Sequence, residues 1–190
     1  MKIFLTLFFA MALASCQSSS LQHVTIETEL GNIVVEIDSA AAPLTATNFL
    51  RYVDGNFYQG GSFYRTVRMD NQPDNDIRIE VIQGGANSDR DEDSFGPILL
   101  ERTSLTGISH RDGVISMARG GPDSATHSFF ICIGDQLSLD YGGMRNPDGQ
   151  GFAAFGRVIE GMDIVREIQS GADTSQTLDS PILIGNITRM

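Results

Sequence analysis

Lysine is almost missing from this 190-residue chain. Lys2 is the only one, so the other 12 of its 13 basic residues are arginine. Against them stand 24 acidic residues, which set the formal net charge at −11 and the sequence pI at about 4.5. An acidic surface of this kind repels nucleic-acid phosphates and favours solubility, which removes nucleic acid from the partner classes. Cysteine is nearly as scarce: Cys16 and Cys132 are too few for a disulfide framework. The three histidines, His23, His110 and His127, lack metal-ligand spacing, so no metal site is expected. Asp89-x-Asp91-x-Asp93 begins like a calcium loop, but Ser94 stands where glycine is needed and Leu100 where the bidentate glutamate belongs. Asp123, His127 and Ser128 are the residue types of a hydrolase triad, yet neighbours on a strand point apart, which separates His127 from Ser128. Gly149-x-Gly151 is a lone glycine pair in a turn-rich loop, not a phosphate cradle.

Long hydrophobic runs are also lacking. The longest, Ile3 to Leu13, is too short to span a bilayer, which takes about 20 residues. It lies between Lys2 and Leu13-Ala14-Ser15-Cys16, a pattern that resembles a bacterial lipobox. That resemblance implies a signal peptide over residues 1–15, lipidation of Cys16, and a flexible tether over 16–22 that includes Gln17-Ser18-Ser19-Ser20. Several acyl chains anchor a domain stably where one is marginal. Gln17 instead of aspartate favours an outer-membrane destination, facing the periplasm. Removing residues 1–15 takes away one base and no acid, which leaves −12. Cys132 then has no cysteine partner within the chain, and its apolar surroundings, Phe129 to Ile133, mark it as a core thiol.

Beyond the tether the chain reads as one domain over 23–190, with no internal repeat and no linker. β-branched alternation predicts strands at Val24–Thr28 and Ile33–Ile37, joined by a turn at Glu29 to Asn32. Pro43 opens a helix whose apolar face carries Phe49, Tyr52 and Val53, and Asp54-Gly55-Asn56 stops it. Further strands are expected at 62–67, 77–83, 114–118, 128–133, 153–159 and 182–189, with a second helix near 162–169 whose buried stripe is Met162, Val165 and Ile168. Many short strands with two helices give a mainly β fold: a closed eight-stranded antiparallel barrel capped by two α-helices.

Several stretches then fall into a single pattern: Thr47-Asn48-Phe49, Phe63-Tyr64-Arg65, Gln83-Gly84-Gly85, Ile115-Ser116-Met117-Ala118, Ser128-Phe129-Phe130-Ile131, Leu139-Asp140, and Phe155-Gly156-Arg157-Val158 leading to Gly161-Met162. Their order and spacing, over residues 24–189, resemble the cyclophilin-type peptidyl-prolyl cis-trans isomerases. The resemblance implies that Arg65 is the catalytic arginine and that Gln83 hydrogen-bonds the substrate backbone. It further implies that Phe130, Leu139 and Phe152 line a proline pocket, and that Ala118, Arg119 and Gly120 form the edge along which the substrate lies. No cofactor is implied. Partners would be proline-containing segments of folding envelope proteins, met by a monomer. The alternative is a catalytically weak proline-peptide binding module or holdase.

The match departs from the family pattern at three places. Glu80 stands where the family usually has phenylalanine, Ser128 replaces a second glutamine, and Ser138 replaces an aromatic. Period-2 alternation puts Ile79, Val81 and Gln83 on one face and Glu80 on the other. Either Val81 carries the pocket wall while Glu80 faces away, or a bulge turns Glu80 toward Arg65.

Overall fold

The computed structural model describes residues 21–190. The expected signal segment, Cys16 and the tether up to residue 20 lie outside the described residues. Strand β1 (Leu21–Thr28) already includes the last two tether residues, with Leu21 opposite Asp38 and Gln22 opposite Ile37. It turns through Glu29-Leu30 into β2 (Gly31–Asp38). Then come helix α1 (Pro43–Asp54), β3 (Ser62–Val67), β4 (Val81–Gly85), a single helical turn α2 (Thr103–Thr106), β5 (Val114–Met117) and β6 (Phe129–Cys132). The chain ends with β7 (Ala153–Glu160), helix α3 (Met162–Gln169), the two-residue β8 (Asp173–Thr174) and β9 (Thr177–Arg189).

The strands pair in the order β1-β2-β7-β5-β6-β4-β3-β9, and β9 returns to pair with β1. Every pairing is antiparallel, so eight strands form a closed barrel with no open edge, while β8 pairs only with β9. Inside it Phe49 of α1 meets Phe129 edge-on at 5.7 Å and Phe155 at 5.1 Å, with Phe63 and Tyr58 completing the aromatic centre. On α3, Val165 and Ile168 are buried and Met162 packs against the same core. β7 approaches β2 so closely that a Cβ on Gly156 would sit 2.2 Å from the Glu36 carbonyl oxygen, which only glycine avoids.

Many strand ends differ from the sequence pattern by one to three residues, and two strand starts by more. The strand expected from residue 77 begins at Val81, because the buried Gln72 side chain takes the place of a ladder neighbour. Its amide accepts from the Ile79 N–H (3.2 Å) and donates to the Ile79 carbonyl (2.8 Å). The last strand begins at Thr177 instead of 182, through a hairpin with β8 whose polar residues show no alternation. The helical turn α2, too short to show a period, adds a third α-helix among the described residues to the two expected.

Helix α1 has no capping side chain at Ala42. Glu101, far along the chain, supplies the acceptor. Its carboxylate takes the backbone N–H of Leu44 (3.1 Å) and of Thr45 (2.7 Å), and the Thr45 hydroxyl (2.6 Å).

Candidate active site

Register builds the site. Arg65 on β3 stands opposite Gln83 on β4, and Gln83 opposite Phe130 on β6. Directly opposed residues of antiparallel strands share a face, so cation, amide and aromatic ring lie in one row on the outside of the barrel. In β6 the alternation sends Phe129 and Ile131 into the barrel core and Phe130 and Cys132 into a second, smaller apolar cluster with Val67, Ile79, Val81 and Leu139. Ala118 and Phe152 pack against that cluster. The loops then close around it. The Phe152 N–H donates to the Leu139 carbonyl (3.0 Å) and the Ala118 N–H to the Ser128 carbonyl (2.8 Å). The Phe152 ring meets Phe130 edge-on at 5.4 Å.

The result is a cavity of about 450 Å³. Arg65, Val81, Gln83, Ala118, Arg119, Gly120, Phe130, Leu139 and Phe152 all line it, so every groove residue expected from the sequence converges on this one place. Ile79 and Val81 form a wall and Glu80 does not reach the cavity; its carboxylate accepts from the Gln169 amide of α3 at 3.3 Å. The first of the two arrangements left open for Glu80 is the one observed. Ser128 lines the cavity, whereas Ser138 does not.

Arg65 is held by two amides. Its Nη1 donates to Gln83 Oε1 (2.8 Å), and its Nε (3.2 Å) and Nη2 (2.6 Å) donate to Gln176 Oε1. A guanidinium has five N–H groups, so one on Nη1 and one on Nη2 remain unengaged. Burial lowers the Arg65 pKa, with Tyr64 opposing; the group stays charged, and no carboxylate pairs with it among the described residues. Gln83 is itself fixed, because its Nε2 donates to the Tyr64 hydroxyl (2.8 Å), which donates to Ser128 Oγ (3.3 Å). The site therefore offers preorganised donors above an apolar floor.

The Arg119 side chain is turned away from this role. It is only 1% exposed, donates through Nη1 and Nη2 to Asp148 (2.7 and 2.9 Å) and through Nε to the Gly151 carbonyl (2.8 Å), and lies over the Phe152 ring. It ties the 148–152 loop to the groove edge.

A family model described as cyclophilin type peptidyl-prolyl cis-trans isomerase matches residues 23–189. The chain belongs to this family. Among its curated relatives are the peptidyl-prolyl cis-trans isomerase of Acinetobacter baylyi, 34% identical over 76% of this chain and 70% of that one, and peptidyl-prolyl cis-trans isomerase A of Dickeya dadantii, 34% identical over 84% and 76%. In fold the chain is similar to a Cryptosporidium parvum cyclophilin-type isomerase, with a TM-score of 0.70, 21% identity, and coverage of 90% of this chain and 98% of that one. The same parasite protein has been solved in the presence of the dipeptide Ala-Pro.

Sequence reasoning missed Gln176, Arg145, Asn146, Ser124 and Thr126. Gln176 lies in the turn between β8 and β9, where Ser175 (φ 52°) and Gln176 (φ 71°) both adopt left-handed backbone, and no motif marks it. Its amide donates to the Asn71 carbonyl (3.1 Å) and its N–H to Asp173 Oδ2 (2.9 Å), so the acceptor that grips Arg65 is itself immobilised. The other four line the cavity from loops that read only as polar. Nor does any motif reveal what His110 does. It is fully buried, with Nδ1 2.6 Å from Asp140 Oδ1 and Nε2 3.0 Å from Ser116 Oγ, and its ring stacks on Phe130 at 5.8 Å. Burial pushes the Asp140 carboxyl up, but hydrogen bonds from His110 outweigh it and hold the pKa below its usual value. These are again serine, histidine and aspartate, but Ser116 is buried and has no access to a substrate.

Proposed function

We propose that this cyclophilin-type isomerase accelerates X–Pro rotation by donating from Arg65 to the prolyl nitrogen, without a covalent intermediate. Amide resonance sets a rotational barrier of ~18–20 kcal/mol, and unaided X–Pro exchange takes roughly tens to hundreds of seconds. At the twisted transition state resonance is lost and the nitrogen regains its lone pair. A donor aimed at that lone pair is better satisfied there than in either planar ground state, which is the condition for catalysis. The observation that carries this reading is the Arg65 guanidinium, clamped by Gln83 and Gln176 with two N–H groups left over beside the apolar pocket. The proline ring would occupy the space between Val81, Phe130, Leu139 and Phe152, and the backbone would run along Ala118, Arg119 and Gly120 with Gln83 as its hydrogen-bonding partner. The relaxation of a short proline peptide from its cis form, measured with and without the purified protein, tests the proposal. An unchanged rate would leave only a proline-binding role.

The setting is also proposed: the cell envelope, with the domain anchored through acylated Cys16 to the outer membrane, facing the periplasm and acting on folding envelope proteins. The residues of the lipobox pattern, Leu13 to Cys16 behind the apolar run 3–13, support it. Cys16→Ser should move the protein out of the lipoprotein membrane fraction; retention there would refute the anchor.

A further inference from the structure

Arginine lines the groove three times, at Arg65, Arg119 and Arg145, and no aspartate or glutamate lines it among the described residues. The molecule as a whole has the opposite balance, with 24 acids against 13 bases. Arg119 is neutralised by Asp148. The other two are not. Arg65 donates only to the neutral oxygens of Gln83 and Gln176. Arg145 sends one Nη1 hydrogen to the Ile77 carbonyl at 2.6 Å, and no carboxylate pairs with it among the described residues. Its backbone is fixed by its own N–H, which donates to the Ser138 carbonyl at 3.1 Å, and its side chain is half-buried. Burial lowers the Arg145 pKa, and the charge of Arg65 lowers it further, so the two cations feel each other across the cavity. Two like charges, partly stripped of water, facing one cavity are unfavourable until an anion arrives. Neither a proline ring nor a peptide backbone brings one.

We infer that the groove selects prolyl segments carrying an acidic side chain, Asp or Glu, next to the proline, and that Arg145 receives the carboxylate. This rests on the isomerase reading of the same site and names its substrate class. The two guanidiniums divide the work. Arg65 keeps its two unengaged N–H groups for the prolyl nitrogen, while Arg145, bonded through Nη1, has no partner for Nε and Nη2 among the described residues and can offer them to a bidentate carboxylate. A cavity of about 450 Å³ lies within the size of pockets that hold ligands larger than one side chain, ~300–1,000 Å³. It has room for a proline and the side chain beside it.

The test compares two C-terminally amidated peptides that differ only in Glu or Gln beside the proline. Both kcat/KM for isomerisation and Kd by fluorescence titration are measured. The wild type should favour the Glu peptide about tenfold at low ionic strength, and the preference should shrink as salt screens the pair. Arg145→Lys should keep most of it, Arg145→Gln should abolish it, and Arg145→Glu should turn it toward a Lys peptide. The quantity read is a ratio within each variant, so a general loss of activity cancels. A wild-type ratio near one, or an equal ratio in the wild type and Arg145→Gln, overturns the inference while turnover of the Gln peptide leaves the isomerase reading intact. A Glu preference in Kd that Arg145→Gln removes, with no acceleration of either peptide, sustains this inference and sinks the isomerase reading.

Discussion

Arg65 carries a charge that only amide oxygens hold in place, which leaves its remaining donors for the reacting nitrogen. A donor that matters mainly in the transition state is worth ~2.7–4 kcal/mol, so Arg65→Ala should lower kcat/KM by about two to three decades in a protein that still folds. Arg65→Lys should recover little, because an ammonium cannot span Gln83 and Gln176 as the planar fork does. Wild-type turnover in Arg65→Ala would remove the arginine from the mechanism. Glu80 and Val81 are chain neighbours with opposite consequences. Glu80 faces Gln169, so Glu80→Phe should leave peptide turnover within about twofold, as surface changes usually do. Val81 is a wall of the pocket, and Val81→Ala should raise KM by about tenfold, near the value of a methylene in a hydrophobic pocket. A marked gain of activity in Glu80→Phe would mean that the carboxylate reaches the groove in solution.

Among the elements, α1 depends on a residue it does not contain. Pro43 suits the first helical turn and needs no N–H partner there, but Ala42 offers no side-chain acceptor and the first turn has no acid. Glu101 fills both gaps with three hydrogen bonds. Glu101→Ala should therefore cost about 1–2 kcal/mol of folding stability, as loss of a cap does, read as a lower urea midpoint at an unchanged slope. A midpoint equal to that of the wild type would show that water replaces the carboxylate at no cost. The helix carries Phe49 into the aromatic centre, so the cap holds the core as well as the helix end.

For the whole molecule, two groups report on folding. Asp148 is held at a pKa of about 2, chiefly by its hydrogen bond from Arg119 and then by the Gln150 N–H, against an ordinary value of 3.8. The folded value is the lower one, so its contribution is fully present above about pH 4 and is lost as pH falls toward 2. Acid denaturation should be shallower across that window in Asp148→Asn, and an unchanged profile would mean that the pair is broken in solution. Cys132 is buried and its thiol pKa is pushed up, mainly by burial and then by the charges of Asp140, Asp112 and Asp135. An alkylating reagent should reach it only through unfolding, so its modification rate should track denaturant concentration. Fast modification of the native protein would reveal local opening of β6.

Period and alternation in the sequence settled the bounds of α3 and β3 and the helix opened by Pro43, because each is a local consequence of backbone geometry acting on side-chain type. The groove residues were legible in another way, through short stretches whose order resembles a family. Only the tertiary structure decided the rest. Gln176 lies 111 residues from Arg65 and meets it because β9 pairs with both β1 and β3 when the barrel closes. Glu101 finds α1, and Arg145 the groove wall, through loops with no period to read. Gln72 ends a strand that alternation extends, because a side-chain amide can satisfy a backbone as well as a neighbouring strand does. Sequence determines what a residue offers and which way its own element turns it. Which distant group accepts that offer depends on chain closure, and closure is a property of the whole fold.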